Sequence, residues 1–270
     1  MKIRLNRFPG GKHKALTMSY DDGVGQDVRL IEIFNQYGIK GSFHLNSGLA
    51  TGTDNFNRIP ITKFAEVYRG HEISAHALTH PFLETLSQAE VVYEMLEDRR
   101  NLEQAAGYPV RGMSYPYGTY SERVLEILQT VGIEYARTVH TTNGFQLPQR
   151  FLEWEATCHH KGATEELAQR FLGEANWERP SLLYVWGHSY EFDNDKNWDL
   201  IENFCKTVGN NEAVWYATNI EVFDYVTAMR SLRFSVNRDV VFNPSACTVW
   251  ISVDNESVAI AAGQTVRLSK

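Results

Sequence analysis

The 270-residue sequence predicts an α/β protein: a parallel sheet wrapped by helices and closed, or nearly closed, into a barrel, followed by a small C-terminal β appendage. Three observations carry this expectation. Short apolar runs alternate with stretches of helical period from Ala15 to Arg230, the connections between them are short, and beyond Ser231 only β-like runs remain. Repeated βα units of this kind build parallel sheets, and at this length a barrel fits better than the alternative, a doubly wound open sheet. The expected division is residues 1–230 for the barrel and 231–270 for the appendage.

The elements follow in order. Ala15-Leu16-Thr17-Met18 reads as a buried strand that ends in Ser19-Tyr20-Asp21-Asp22-Gly23. Asp27 is the expected N-cap of a helix whose apolar face is Val28, Ile31, Phe34 and Tyr37, with Gly38 past its end. A strand over residues 41–45 precedes a Gly/Thr/Asn-rich loop over 46–57 and a short helix through Ile61, Phe64, Val67 and Tyr68. The third strand runs from His71 to His76. Ser87-Gln88-Ala89-Glu90 is a capping box opening a long helix that ends near Gly107, and the strand Val110 to Tyr115 follows. A helix from Ser121, strands at 133–136 and 151–157, a helix at 164–172 and a strand over Leu182 to Trp186 continue the alternation. The barrel then closes with a helix at 198–208, a strand at 213–217 and a helix at 219–230. Five β-like runs between Leu232 and Leu268 make the appendage, which is too short for independent stability.

Composition narrows the function. Hydrophobic residues are 43% and charged residues 22%, as in a soluble globular chain, and nothing in the sequence needs a bilayer. A formal charge of −7 argues against general affinity for nucleic acid or anionic lipid, so a neutral substrate is expected. The amino terminus has no sustained apolar run of the secretory kind, and Cys158, Cys205 and Cys247 fit neither a disulfide framework nor a Cys-x-x-Cys metal site. A cytoplasmic protein with reduced thiols is the expectation.

In a parallel βα barrel the functional side chains gather at the carboxyl ends of the strands. Four chemically rich clusters fall there: Asp21-Asp22, His76 through His80, Tyr115-Pro116-Tyr117-Gly118 and Gly187-His188-Ser189-Tyr190. Adjacent carboxylates resist joint ionisation unless a cation or strong donor holds one of them. His76 and His80 have i,i+4 spacing, but Ala77 stands where a zincin helix has glutamate, and Pro81 disfavours helix at His80. Two imidazoles and a carboxylate leave open positions, as in hydrolytic zinc sites. The same set suits non-haem iron. Asp21 beside the ligands is a candidate base and His188 a candidate acid.

Together these ordered motifs resemble the NodB-homology polysaccharide deacetylases, carbohydrate esterase family four, over roughly Ala15 to Ala217. The resemblance implies an irregular (β/α)7 barrel, TIM-like in outline. It implies Asp22, His76 and His80 as ligands of a divalent metal, zinc first, with Asp21 as base, the Tyr117 N–H as oxyanion donor and His188 as acid. The implied substrate is an N- or O-acetylated carbohydrate; a small non-sugar amide and non-catalytic carbohydrate binding are the other readings. The family's usual third-motif arginine is replaced by Ser114, so Arg137, at the end of the next strand, is expected to orient Asp21 instead. The family's aspartate-tryptophan motif, which tunes the acid histidine, has Trp154-Glu155 as its nearest match. Tyr115, Trp154 and Tyr190 are expected substrate contacts. Thr157-Cys158-His159-His160 matches no ligand spacing and reads as polar rim, and His44 as a satisfied rim histidine.

Overall fold

A computed structural model describes residues 1–53, 57–175 and 177–268; residues 54–56 of the expected 46–57 loop and the last two of the appendage lie outside these. The strands are β1 (Ile3–Arg4), β2 (Lys14–Asp21), β3 (Gly41–Leu45), β4 (Glu72–Ala75), β5 (Gly112–Ser114), β6 (Tyr135–Thr141), β7 (Trp154–Ala156), β8 (Cys158–His159), β9 (Ser181–Gly187), β10 (Val214–Tyr216), β11 (Arg233–Phe234), β12 (Val240–Phe242), β13 (Val249–Val253), β14 (Glu256–Ile260) and β15 (Thr265–Arg267). The α-helices are α1 (Asp27–Gln36), α2 (Phe64–Val67), α3 (Gln88–Ala106), α4 (Glu122–Thr130), α5 (Glu165–Gly173), α6 (Tyr190–Asn194), α7 (Trp198–Val208) and α8 (Asn219–Ser231).

The main sheet is parallel and runs β7-β6-β5-β4-β3-β2-β9-β8, with β10 pairing the first half of β2. Its two ends are one stretch of chain. Only Thr157 separates β7, which pairs β6, from β8, which pairs β9, and the Thr157 N–H donates to Tyr184 O at 2.8 Å. The ladder therefore returns on itself as an irregular seven-stranded ring, the (β/α)7 architecture expected, with β10 as an extra strand beside β2.

The core explains the order of layers. Along β2, Leu16, Met18 and Tyr20 join the large apolar cluster beneath the helices, whereas Thr17, Ser19 and Asp21 face the polar barrel interior. This is the period-2 alternation of a strand. Long helices are started by side-chain caps: Ser87 and Glu90 form the predicted capping box of α3, and Thr218 with Glu221 forms another at α8. Asp27 is not a cap. It is the first residue of α1, fully buried, and accepts from Ser189 Oγ at 2.6 Å and Tyr68 Oη at 2.8 Å, a tertiary role that its place after a turn did not disclose.

The C-terminal segment forms two three-stranded antiparallel sheets, β13-β14 completed by β1 and β11-β12-β15. The amino terminus thus pairs with the appendage, Ile3 opposite Val253. A second apolar cluster joins Tyr225, Val226 and Met229 of α8 to Val241, Val249 and Ile251. Among the described residues no helix is long and apolar enough to cross a membrane.

Candidate active site

Asp21 ends β2 and is 2% exposed. Its Oδ1 accepts from Ser114 Oγ at 2.9 Å and its Oδ2 from the Arg137 guanidinium, which is wholly buried. Ser114 and Arg137 are register partners across the β5–β6 ladder, so two adjacent strands grip one carboxylate. Arg137 also lies over the Trp186 ring at 4.3 Å. Burial alone would raise the Asp21 carboxyl, but the Arg137 charge, followed by His76, His188 and His44, outweighs it and holds Asp21 well below the usual carboxylate range.

Neighbouring strand residues point to opposite faces, so Asp22 reaches the same space as Asp21 only through a bend. The bend is at Asp22 itself, with φ 80°, followed by Gly23 at φ 64°, where an added Cβ would stand 2.9 Å from Leu45 Cδ2. Left-handed backbone recurs around the site at Ala77 (φ 60°), His80 (φ 59°) and Tyr117 (φ 58°). Such conformations are uncommon for residues with a Cβ and are held by their surroundings. Around Ala77 and His80, α3 does the holding: buried Asp98 accepts from the N–H of Ser47 (2.8 Å) and of His76 (3.1 Å), and Glu94 accepts from the Thr79 N–H (2.9 Å) and Oγ1 (2.7 Å). Neither acid was picked out from the sequence.

Asp22 Oδ1 lies 3.8 Å from His80 Nε2 and 4.0 Å from His76 Nε2, and the three ligand atoms fall within 4.8 Å of one another. His76 Nδ1 is 2.8 Å from Ser114 O, a group that can only accept. Nδ1 therefore carries the proton and Nε2 presents its lone pair to Asp22 and His80. Burial, then the neighbouring His76, push the His80 imidazole down to about 4, which keeps it neutral. One carboxylate oxygen and two imidazole nitrogens fit a divalent transition metal with open positions.

His188 stands on the other side of Asp21, its Nε2 3.8 Å from Asp21 Oδ2. Its Nδ1 is 3.3 Å from Glu191 Oε2, and the same oxygen lies 3.0 Å from His159 Nε2 and 3.3 Å from His160 Nε2. Burial opposes charge on His188, but the Glu191 hydrogen bond, with Asp21 and Asp22, outweighs it and raises the imidazole above its ordinary range. Glu191 lies in α6, a five-residue helix that was not expected; the signal available was a glutamate three residues after the histidine. It, and not Trp154-Glu155, faces His188. His159 and His160 belong to this cluster and not to a solvated rim, with His160 1% exposed. His44 is fully buried, its Nε2 2.8 Å from Ser19 Oγ.

The mouth opens as a cavity of about 960 Å³ whose walls include Asp22, Arg58, Thr79, His80, Tyr117 and Tyr190. The Tyr117 ring stacks on Phe82 at 3.8 Å and meets His80 edge-on at 4.5 Å. Among the described residues no acceptor takes the Tyr117 N–H, while the flanking Tyr115 and Gly118 amides are bonded to Arg137 O and Tyr115 O. Tyr190 lies 5.2 Å from His188, and burial, then Asp22, push its hydroxyl up to about 12. Two expected substrate contacts lie elsewhere. Tyr115 is 1% exposed and donates to Leu152 O at 2.8 Å, and Trp154 is 1% exposed against Tyr135, Phe151 and Tyr184. Both fill the barrel wall, because a strand-end aromatic with aromatic neighbours to pack on gains more from burial than from the rim. Arg111 is also remote, paired at the surface with Glu134 and Asp224.

Known proteins place this architecture. Residues 9–136 match the family model described as polysaccharide deacetylase. The peptidoglycan-N-acetylglucosamine deacetylase PgdA of Listeria monocytogenes is 24% identical over 127 residues, 46% of this chain and 26% of the relative. Chitin deacetylase 1 of Cryptococcus neoformans is 30% identical over 117 residues, 43% of this chain and 24% of the relative. The matched part thus spans about a quarter of the length of these relatives. Among solved structures, a Mycobacterium smegmatis protein classed as a polysaccharide deacetylase superposes with a TM-score of 0.61 at 17% identity, over 85% of this chain and 96% of that one. A Bacillus anthracis family-four pseudoenzyme, in a mutant with restored activity, gives 0.52 at 18% identity over 78% and 67%. The barrel, and the match that covers its strands β2 to β5 with the Asp-Asp and His76–His80 loops between them, lead to one statement: over residues 9–136 the chain is similar to the polysaccharide deacetylase family.

Proposed function

We propose that this chain is a metal-dependent hydrolase that removes acetyl groups from an N- or O-acetylated carbohydrate. The observation that carries the reading is the position of Asp21, whose Oδ2 lies 4.0 Å from His76 Nε2 on one side and 3.8 Å from His188 Nε2 on the other. Asp22, His76 and His80 would hold the ion, zinc being the first choice for two imidazoles and a carboxylate. When bound, such an ion polarises a carbonyl oxygen and brings the pKa of water from about 16 to about 7.

The chain's own groups supply the rest. Asp21, held ionised by Arg137 and Ser114, takes the proton of the attacking water. Its depressed basicity makes it a poor place for that proton to stay. His188, 3.8 Å away with its raised proton affinity, is the better one, so a proton delivered to the leaving amine or alkoxide by His188 is replaced from Asp21. The Tyr117 N–H donates to the oxygen that gains charge, a contact whose loss typically costs about 3–4 kcal/mol in such sites. Tyr117 and Tyr190 give a sugar ring apolar surface with polar tips, and the cavity of about 960 Å³ is roomier than a small amide needs, which favours a glycan. Residues 1–230 would carry the chemistry and residues 231–270 would brace α8 and the amino terminus.

Acetate release from acetylated chitooligosaccharides and peptidoglycan fragments, against small acyl amides, with and without chelator, tests the reading. Chelator-sensitive release from the glycans is expected. Release from small amides alone would move the assignment to the second reading, and glycan binding with no release under any metal would move it to a non-catalytic binder. Asp21→Asn should keep its metal and lose turnover; full turnover with metal bound would remove Asp21 as base.

A further inference from the structure

A second cavity lies at the other end of the barrel. Lys14 opens β2 and Ser181 opens β9, and both line a space of about 300 Å³ with Arg7, Lys12, His13, Glu174 and Trp177. Asp21 is seven residues along the same strand, roughly 23 Å at about 3.3 Å per residue. What distinguishes this space is an excess of positive charge: Arg7, Lys12 and Lys14 face it, while Glu174 in its wall acts on Lys14, and Glu256 on Arg7, without an ion-pair contact. Arg7 donates to Gly11 O (2.8 Å), Asn255 O (3.0 Å) and Ser252 Oγ (2.8 Å), Lys12 Nζ to Val214 O (3.0 Å), and Lys14 Nζ to Leu172 O. Every one of these acceptors is neutral. Among the described residues no carboxylate comes within 4.0 Å of the three cations, and Glu178 nearby is engaged by Lys2 and Arg4. Each ammonium keeps two further N–H donors.

His13 adds a second, independent demand. Its Nδ1 lies 2.9 Å from Asn6 O and so carries the proton, which leaves Nε2 as a lone pair with no partner. Burial, followed by the Arg7 charge, lowers the proton affinity of this imidazole. The cavity thus needs negative oxygen for its cations and a hydrogen-bond donor for His13. A carboxylate or sulfate at neutral pH offers only the first, whereas a phosphate that retains one proton offers both. Trp177, 61% exposed and 4.7 Å from the His13 ring, supplies a face for whatever the phosphate is attached to.

We propose that this cavity is a binding site for phosphate or a phosphate monoester, remote from the deacetylase mouth. The test is calorimetric titration of the whole chain with inorganic phosphate, a hexose 6-phosphate and sulfate near pH 6, close to the second pKa of about 6 of a phosphate monoester. Trp177 fluorescence is followed in parallel. Saturable binding of phosphate is expected, with sulfate weaker by at least about threefold, and Lys12→Gln/Lys14→Gln should weaken phosphate by about tenfold or more. Acetate release should be unchanged in that variant. Tighter binding of the hexose phosphate, lost in Trp177→Phe, identifies a monoester as the ligand; equal binding identifies free phosphate. A response matched by sodium chloride at equal ionic strength, equal affinity for sulfate, or an unaltered double variant would overturn the site. Should the double variant be unfolded by circular dichroism, Lys12→Gln alone makes the same comparison.

Discussion

Two histidine–carboxylate clusters flank Asp21, and they are built from the same side chains to opposite ends. In the first, Asp22 stands 3.8–4.0 Å from two imidazole nitrogens, too far for hydrogen bonds. In the second, Glu191 closes to 3.0–3.3 Å on His159, His160 and His188. Tautomers complete the contrast. His76 spends its Nδ1 proton on Ser114 O and turns a lone pair inward. His159 Nδ1 accepts from the Lys161 N–H at 3.3 Å, so its Nε2 must be the donor to Glu191. Residue type alone does not make a ligand set. The hydrogen bond on the far ring nitrogen decides whether a histidine offers a lone pair or a proton.

The largest effect should come from breaking the open cluster. On the proposed reading, Asp22→Ala or His76→Ala is expected to abolish stoichiometric metal in the purified protein and to lower acetate release by about 10³-fold or more, since the ion would be the electrophile. Arg137→Met leaves Asp21 buried without its cation. Removing one partner of a buried pair costs about 3–5 kcal/mol, so a lowered melting temperature should accompany loss of turnover. Breaking the closed cluster should act differently: Glu191→Gln keeps the metal and lowers kcat by about 10–100-fold.

The pH profile sharpens that point. Glu191 helps raise His188, so in Glu191→Gln the alkaline limb of kcat, which on the proposed mechanism reports loss of the His188 proton, should move to lower pH. An unmoved limb would detach Glu191 from the acid. The smallest effect concerns Glu72, a fully buried carboxyl that accepts from Ser42, Tyr135 and the Ile220 N–H, and that burial pushes up to about 7 from 4.5. Its raised value means that the folded chain binds a proton the unfolded chain releases. The associated stability is full below about 4.5 and is lost as pH rises through 7. Thermal melts between pH 5 and pH 8 should show a shallower decline in Glu72→Gln than in the parent.

What the sequence disclosed follows from the same chemistry. The barrel was legible because apolar strands and capped helices alternate at regular spacing, and the strand ends named Asp21, His76, Arg137 and His188 before any coordinates. Glu94, Asp98 and Glu191 were hidden, because an acid on a helix reads as solvent-facing until something opposite needs it. Tyr115 and Trp154 were misplaced for the converse reason: an aromatic at a strand end suits both a sugar platform and a core. How the ring closes was invisible, since β7 and β8 together hold five residues and change partners across one.

That change of partners has a mechanical consequence. Arg137 lies on β6 and His188 just past β9, and among the described residues the stretch from Trp154 to His159 is the strand that pairs with both, with Thr157 as its pivot. The gap between the clamp on Asp21 and the imidazole facing it is therefore gauged by one short span of backbone, like a spacer between two plates. Lengthening that span by a single inserted residue would shift the two plates against each other while leaving every catalytic side chain in the sequence.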